Sequence, residues 1–166
     1  ADLIYWQAVR ENIERAKPED VDDVLDAEAE LTSEQGKILI DLGRKMWRLG
    51  EAAAALEPER VEGCFYHGLG ISFYAFGKSI LAALREGLRG KFDDALDKAI
   101  AVDPDYAGAA PLRVKGRSYF KLPWPLRDYE KAIALANRSA QSAPETSVNF
   151  LFLGDAYWRD GQKELA

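Results

Sequence analysis

Apolar positions recur three and four residues apart along nearly the whole chain, and nowhere alternate with the two-residue period of a half-buried strand. The pattern predicts helices and no convincing strand. "LIYWQAVRENI" places Leu3, Trp6 and Val9 or Arg10 on one side of a helix that ends near Pro18. "EDVDDVLDAEAEL" carries a thin stripe of Val21, Val24, Leu25 and Ala29 among carboxylates, as expected of a surface helix or a lightly docked one. Thr32 or Ser33 then offers an N-cap, with Glu34 favourable in the first turn. In the helix that follows, Leu39, Leu42, Met46, Leu49, Ala53 and Leu56 are spaced three, four, three, four, three, and Pro58 lies just past its end.

"RVEGCFYHGLGISFYAFG" is apolar on two sides. Cys64, Gly68, Ile71 and Ala75 form a small-residue stripe, and Phe65, Leu69, Ser72, Phe73 and Phe76 a bulkier one beside it. Such a helix must be sandwiched between neighbours or line a groove. Two helix pairs follow: "KSILAALREGLRG" with "KFDDALDKAIAVDP", separated at Gly90, and "DYAGAAPLRVKGRSYFKL" with "LRDYEKAIALANRSAQSAP", joined by "PWP". Trp124, between two prolines, is expected to pin that joint to the core. The last seventeen residues, "FLFLGDAYWRDGQKELA", read as one helix and the opening of another, a hairpin cut off partway. Gly154 lies on the apolar stripe there, which implies a second helix packed close against it.

Composition narrows the function. The 166 residues suffice for one domain with a real core, and 48% apolar with 30% charged residues is ordinary for a globular protein. No apolar run approaches the ~20 residues that span a bilayer. The chain begins Ala1-Asp2, as expected of a processed or trimmed product. Cys64 is the single cysteine, so no internal disulfide forms. His67 is the single histidine, which leaves no zinc-type spacing and makes a Ser-His-Asp triad improbable; a packed or half-exposed ring is the expectation. "GLGISF" lacks the third glycine and the preceding strand of a dinucleotide-binding turn. Asn137-Arg138-Ser139 matches a glycosylation sequon but lies inside a predicted helix. With no nucleophile–base pair, metal set or phosphate loop, no enzyme, metal or cofactor is expected.

The net charge of −6 is lopsided. The first 35 residues hold eleven acidic and three basic side chains, near −8, and the remainder is near +2. An acidic chain is a poor partner for a phosphate backbone, so nucleic acid is set aside.

"AAALEPERVEG", "AIAVDPDYAGA" and "SAQSAPETSVN" each close a helix, pass a proline and open another helix. Their prolines, Pro58, Pro104 and Pro144, lie 46 and 40 residues apart, the mark of a stacked helical repeat. The chain resembles the tetratricopeptide repeat, whose unit of about 34 residues runs W-x2-L-G-x2-Y, then Ala, Phe and Ala on the second helix, then Pro. Phe150, Leu153, Gly154, Tyr157 and Ala166 match it best. Leu112, Gly116, Tyr119, Ala132 and Pro144 fit the preceding unit, and Gly68 and Ala99 a longer one before it, with Phe92 where alanine is usual. "DPDYAGAAPLRVKGRSYFKLPWPLRDYEKAIALA" is further similar, over roughly residues 34–160, to the T component of tripartite ATP-independent periplasmic (TRAP) transporters.

The resemblance implies an all-α, right-handed solenoid of stacked antiparallel hairpins in a single domain, 1–166. Its parts are acidic N-terminal helices (1–33), the end of a first unit (34–58), a long-hairpin repeat (59–104), a second repeat (105–144) and a truncated one (145–166). It implies an extracytoplasmic or periplasmic interaction scaffold that pairs with a transporter's substrate-binding component and assembles with copies of itself. The alternatives are an accessory whose aromatic groove or pore holds a small apolar or organic-acid molecule, or a generic adaptor. In such proteins the first helix of each pair lines a concave surface. Aligning Gly68, Gly116 and Gly154 places Phe65, Leu69 and Phe73 on one wall of that groove. Arg113, Arg117, Phe120 and Lys121 make a second wall, and Leu151, Asp155, Trp158 and Arg159 a third. Arg113, Arg117 and Lys121, four apart, form a shelf suited to an acidic tail or organic acid. Arg117→Glu is expected to weaken binding and leave the fold intact.

Overall fold

The structure, a computed structural model, describes residues 2–17, 19–27 and 31–166, with the backbone alone for residues 2–4 and 27. Pro18 and Ala29 lie outside the described residues. Those described form helices and no strand: α1 (Asp2–Ala16), α2 (Val21–Ala27), α3 (Ser33–Leu56), α4 (Val61–Lys78), α5 (Ile80–Arg85), α6 (Leu88–Val102), α7 (Tyr106–Lys121), α8 (Tyr129–Ser142) and α9 (Ser147–Arg159). Thr32 caps α3 in a capping box, its hydroxyl accepting from the Gln35 amide while the Gln35 side chain accepts from the Thr32 amide.

The chain runs back and forth, with α3 on α4, α4 on α6, α7 on α8 and α8 on α9; α4, α7 and α9 also touch in sequence. The largest apolar cluster joins Leu39 of α3, Phe65, Leu69, Ile71 and Phe73 of α4, and Leu88, Phe92 and Leu96 of α6. Phe120, Ala132, Ala156 and Leu25 make a second cluster, so α2 lies on the far end of the stack.

The α3–α4 hairpin packs by an arrangement the apolar pattern does not announce. Gly36, Gly43 and Gly50 are seven apart on α3, and Gly63, Gly70 and Gly77 seven apart on α4. A Cβ at Gly43 would lie 2.4 Å from the Tyr74 amide nitrogen, at Gly70 2.2 Å from that of Trp47, and at Gly77 2.6 Å from the Gly36 carbonyl. The two backbones touch, as only glycine permits. Burying this glycine face turns much of the leucine stripe of α3 away from the core. Leu39 is fully buried, but Leu49 and Leu56 are 72% and 82% exposed.

Other expectations shift as well. The break between the two helices after α4 falls at Gly87, whose φ of 71° is left-handed, and Gly90 lies inside α6. Residues after Gly161 form turns, not a helix. A Cβ at Gly68 would meet the Leu96 side chain at 2.8 Å, and at Gly116 that of Leu135 at 3.1 Å, so these two glycines make the same kind of crossing. At Gly154 the nearest group, the Ala166 backbone, is an ordinary 3.5 Å away, and no second helix among the described residues covers it. Trp124, preceding a cis proline, is 86% exposed instead of pinned to the core.

Candidate functional site

Where α4, α6, α7 and α9 face one another, and α1 crosses above them, the structure forms a half-open cavity of about 400 Å³. Its floor is aromatic and aliphatic, from Phe65, Leu69, Phe73 and Phe76 of α4, Leu88 and Phe92 of α6, and Val114 of α7. Val148 and Phe152 close it from α9, and Tyr5 and Trp6 from α1. Tyr5 packs edge-on to Phe76 with ring centres 5.4 Å apart, and Trp6 stacks on Phe152 at 6.1 Å.

The polar part of the wall is cationic. Arg89 of α6 and Arg113, Arg117 and Lys121 of α7 line the cavity together with Ser72, Ser118 and Tyr66; among the described lining residues there is no carboxylate. The i, i+4 spacing aligns the three α7 cations on one face. Arg113 donates to the Gly108 carbonyl at 2.8 Å and to Asn149 Oδ1 at 2.7 Å. Arg89 pairs with Asp93 at 2.6 Å and lies over the Tyr119 ring at 4.7 Å. Periodicity of α7 reveals three of these cations; Arg89 carries no such signal in the sequence, because only the crossing of α6 and α7 brings it to the same wall.

Arg117 is embedded. Its guanidinium carbon lies 4.2 Å from the centre of Phe120 and 4.3 Å from that of Phe152, between the two rings. It pairs with Asp155 at 2.8 Å, the two side chains being 10% and 13% exposed. Reversing its charge would set a like charge beside a nearly buried carboxylate, which destabilises strongly. The expectation that Arg117→Glu spares the fold is therefore corrected.

The remaining groove residues divide. Phe65, Leu69 and Phe73 line the cavity with Arg113, Arg117 and Lys121, whereas Phe120 is buried in the second apolar cluster. On α9 the cavity-facing residues are Val148 and Phe152. Leu151 faces solvent, Asp155 pairs with Arg117, and Trp158 packs against the second cluster. Arg159 holds Asp22 at 3.0 Å and also Asp26, tying α9 to α2.

The start of α7 carries local strain. Ala107, Gly108 and Ala109 are all left-handed, with φ of 49°, 68° and 58°. Pro111 explains the departure: it offers no N–H to the residue 107 carbonyl and its ring would clash there, so the chain reverses hand before the regular helix begins. A left-handed alanine costs about 1–2 kcal/mol. Asn149, fully buried, braces the turn by donating to the carbonyls of Gly108, Ser139 and Ala143. Ala107 and Ala110 are on the cavity wall, so this strain is stored at the site.

Two titrating groups lie nearby. Burial, and next a hydrogen bond with Tyr66, push the Tyr106 phenol up to about 12, so it stays neutral. His67 is stacked on Trp47 at an interplanar angle of 9°, with Nε2 buried and unbonded. Burial is the main cause lowering its pKa below the ordinary value; Glu51 opposes, and Lys91 and Lys98 assist.

Among the described residues no cluster of three His, Cys, Asp or Glu side chains has metal-holding geometry. No described helix is long and apolar enough to cross a membrane. No protein-family profile matches the chain, and no curated protein aligns with it.

Proposed function

We propose that this protein is a non-enzymatic binding module that holds one small amphipathic anion, an organic acid with an apolar body, in the cavity between α4, α6, α7 and α9. The observation that carries the reading is the asymmetry of that cavity: about 400 Å³, apolar on its floor, with four cations on its polar wall. This is the size of small-molecule sites, whose apolar lining supplies affinity and whose few polar groups set orientation. Arginine and lysine are the side chains that pair with carboxylates, and here they are gathered on one wall of an otherwise apolar cavity.

The architecture supporting the cavity is, in this reading, a right-handed tetratricopeptide-type solenoid. Its support is the matching contact of Gly68 with Leu96 and Gly116 with Leu135, together with the helix–proline–helix recurrence. The similarity to TRAP transporter T components then suggests an extracytoplasmic accessory of solute transport. Titration calorimetry with octanoate and octanol tests the ligand class. Octanoate is expected to bind, octanol at least tenfold more weakly, and Val114→Phe, which fills the cavity, to abolish binding. Equal affinity for the two would remove the role of the cations, and no binding of either would remove the site.

A second reading, the interaction scaffold, is favoured by the α7–α8 loop, where Trp124 and Leu126 stand 86% and 51% exposed. Exposed tryptophan is enriched at binding hot spots. A co-purifying substrate-binding protein that is lost on Trp124→Ala would support it; retention of such a partner by that variant would exclude this loop.

A further inference from the structure

The outer face of α3 carries an uncovered row of leucines. Leu42, Leu49 and Leu56 repeat every seven residues, about a quarter-turn round the helix from the close contact with α4, and the last two are 72% and 82% exposed. Beside them, between α3 and α4, runs a trough of about 430 Å³ lined by Leu42, Met46, Ala53 and Gly63, with Lys45 towards one end and Glu62 at the other. A terminal helix of a stacked array needs a polar outer face to remain soluble. Here Lys37, Asp41, Arg44 and Arg48 make the side away from α4 polar, but the flank that carries the leucines is apolar, which implies that something covers that flank.

We propose that the cover is a second copy of this chain, with the two α3 helices antiparallel about a two-fold axis through Leu49. Three features point to a copy of the same surface. Knobs and trough lie on one face, as a self-complementary two-fold interface requires. A repeat of exactly one heptad makes Leu42 meet Leu56 of the partner subunit and Leu49 meet Leu49 of the partner subunit, so every leucine finds a leucine. The charges also match. Gly63 lies level with Ala54 of α3. Glu62 therefore sits beside the stretch that the axis sets opposite Lys45, and Arg48 falls opposite Gly50, next to Glu51. Between residues 37 and 48 the chain carries a net +3, and between 51 and 62 a net −3, so the antiparallel orientation places opposite signs together and the parallel one does not.

Sedimentation equilibrium on the whole chain reads the outcome. The wild type is expected to form a discrete dimer of the 18.5 kDa chain. Leu56→Glu and Leu49→Glu, on side chains too exposed to support the fold, are expected to give folded monomers with unchanged circular dichroism. Lys45→Glu or Glu62→Lys alone is expected to weaken the dimer several-fold, and the two together to restore it. Leu49→Cys is expected to form an intersubunit disulfide on oxidation, since only a residue on the axis meets itself; the buried Cys64 does not compete. A monomeric wild type overturns the proposal, and one that binds phosphatidylglycerol vesicles through Leu49 replaces the second copy with a lipid surface. An open series of oligomers dissolved by Leu151→Glu on α9 overturns it in favour of head-to-tail stacking. Persistence of the dimer in Leu49→Glu overturns it outright.

Discussion

Asn149 shows how much one side chain holds. It is fully buried, its amide nitrogen reaches three carbonyls from α7, α8 and the α8–α9 turn, and its oxygen receives Arg113. Truncation removes one of the two donors that each of those carbonyls has, takes away the acceptor of Arg113, and releases the strained turn of Ala107 and Ala109. Asn149→Ala is expected to cost about 2–4 kcal/mol, read as a shifted urea midpoint, and to loosen the Arg113 side of the cavity; an effect below about 1 kcal/mol would show that water replaces the amide. His67 contributes through protonation. Its folded pKa is depressed, mainly by burial, so between that value and the unfolded value near 6.5 the unfolded chain binds more protons. Its contribution is fully present above the unfolded pKa and is lost as pH falls from there towards the folded pKa. Wild-type stability is expected to drop over that window by more than that of His67→Gln, the difference curve isolating this ring from the carboxylates. Parallel curves would mean that the ring is hydrated in the folded state. From sequence, His67 could be read as a packed ring simply because it has apolar neighbours. Asn149 carried no such signal: a lone asparagine near a helix start looks like a cap until three elements converge on it.

At the scale of elements, most helices were legible because their apolar positions keep the 3.6-residue period. What was misread was which face of α3 is core. Counting hydrophobic residues selects the leucines, since glycine contributes nothing to an apolar pattern, yet it is the glycines that let the α3 and α4 backbones meet. Spacing of seven, on both helices, was the available signal. At Gly43 an added methyl would meet the Tyr74 nitrogen at 2.4 Å and the Gly70 carbonyl at 2.8 Å, backbone atoms that cannot rotate away. Gly43→Ala is expected to destabilise by about 1–3 kcal/mol as the helices are forced apart. Gly90, in α6, has nothing within 4 Å of the same position. Gly90→Ala is expected to stabilise by about 0.5–1 kcal/mol through helix propensity alone. Thermal unfolding of the pair separates glycine as a contact surface from glycine as an ordinary helix residue; if both substitutions stabilise, the backbones are not in contact. The groove was legible to a similar degree. The face of α7 carrying Arg113, Arg117 and Lys121 could be read from its spacing, but the rotation of α9 could not, and α9 presents Val148 and Phe152 in place of Leu151 and Trp158.

Over the whole molecule, the charge imbalance acquires a location. The acidic N-terminal segment runs back along the cationic side of the stack: α1 lays Tyr5 and Trp6 over the cavity, and α2 offers Asp22 and Asp26 to Arg159 of α9 while Leu25 enters the second apolar cluster. The acids of α2 thus meet Arg159, while the shelf of Arg113, Arg117 and Lys121 is faced by the aromatic rings of α1. This attachment differs in kind from the α3–α4 contact. It rests on Leu25, two aromatic rings, the buried Ala8, Val9 and Asn12 of α1, and part-exposed ion pairs, the last worth only about 0.2–1 kcal/mol each in water. Elements held this way open below the global unfolding free energy. Arg159→Ala is expected to lower global stability by no more than about 1 kcal/mol while speeding amide exchange across residues 5–16 and 21–26, with α4, α7 and α8 unchanged. Raising salt to about 1 M, where the Debye length falls to about 3 Å, should act in the same direction on the wild type and add little to the variant. Exchange that rises equally in α4 and α8 would instead make the N-terminal helices part of one cooperative core, and the cavity beneath them would then open only when the whole protein unfolds.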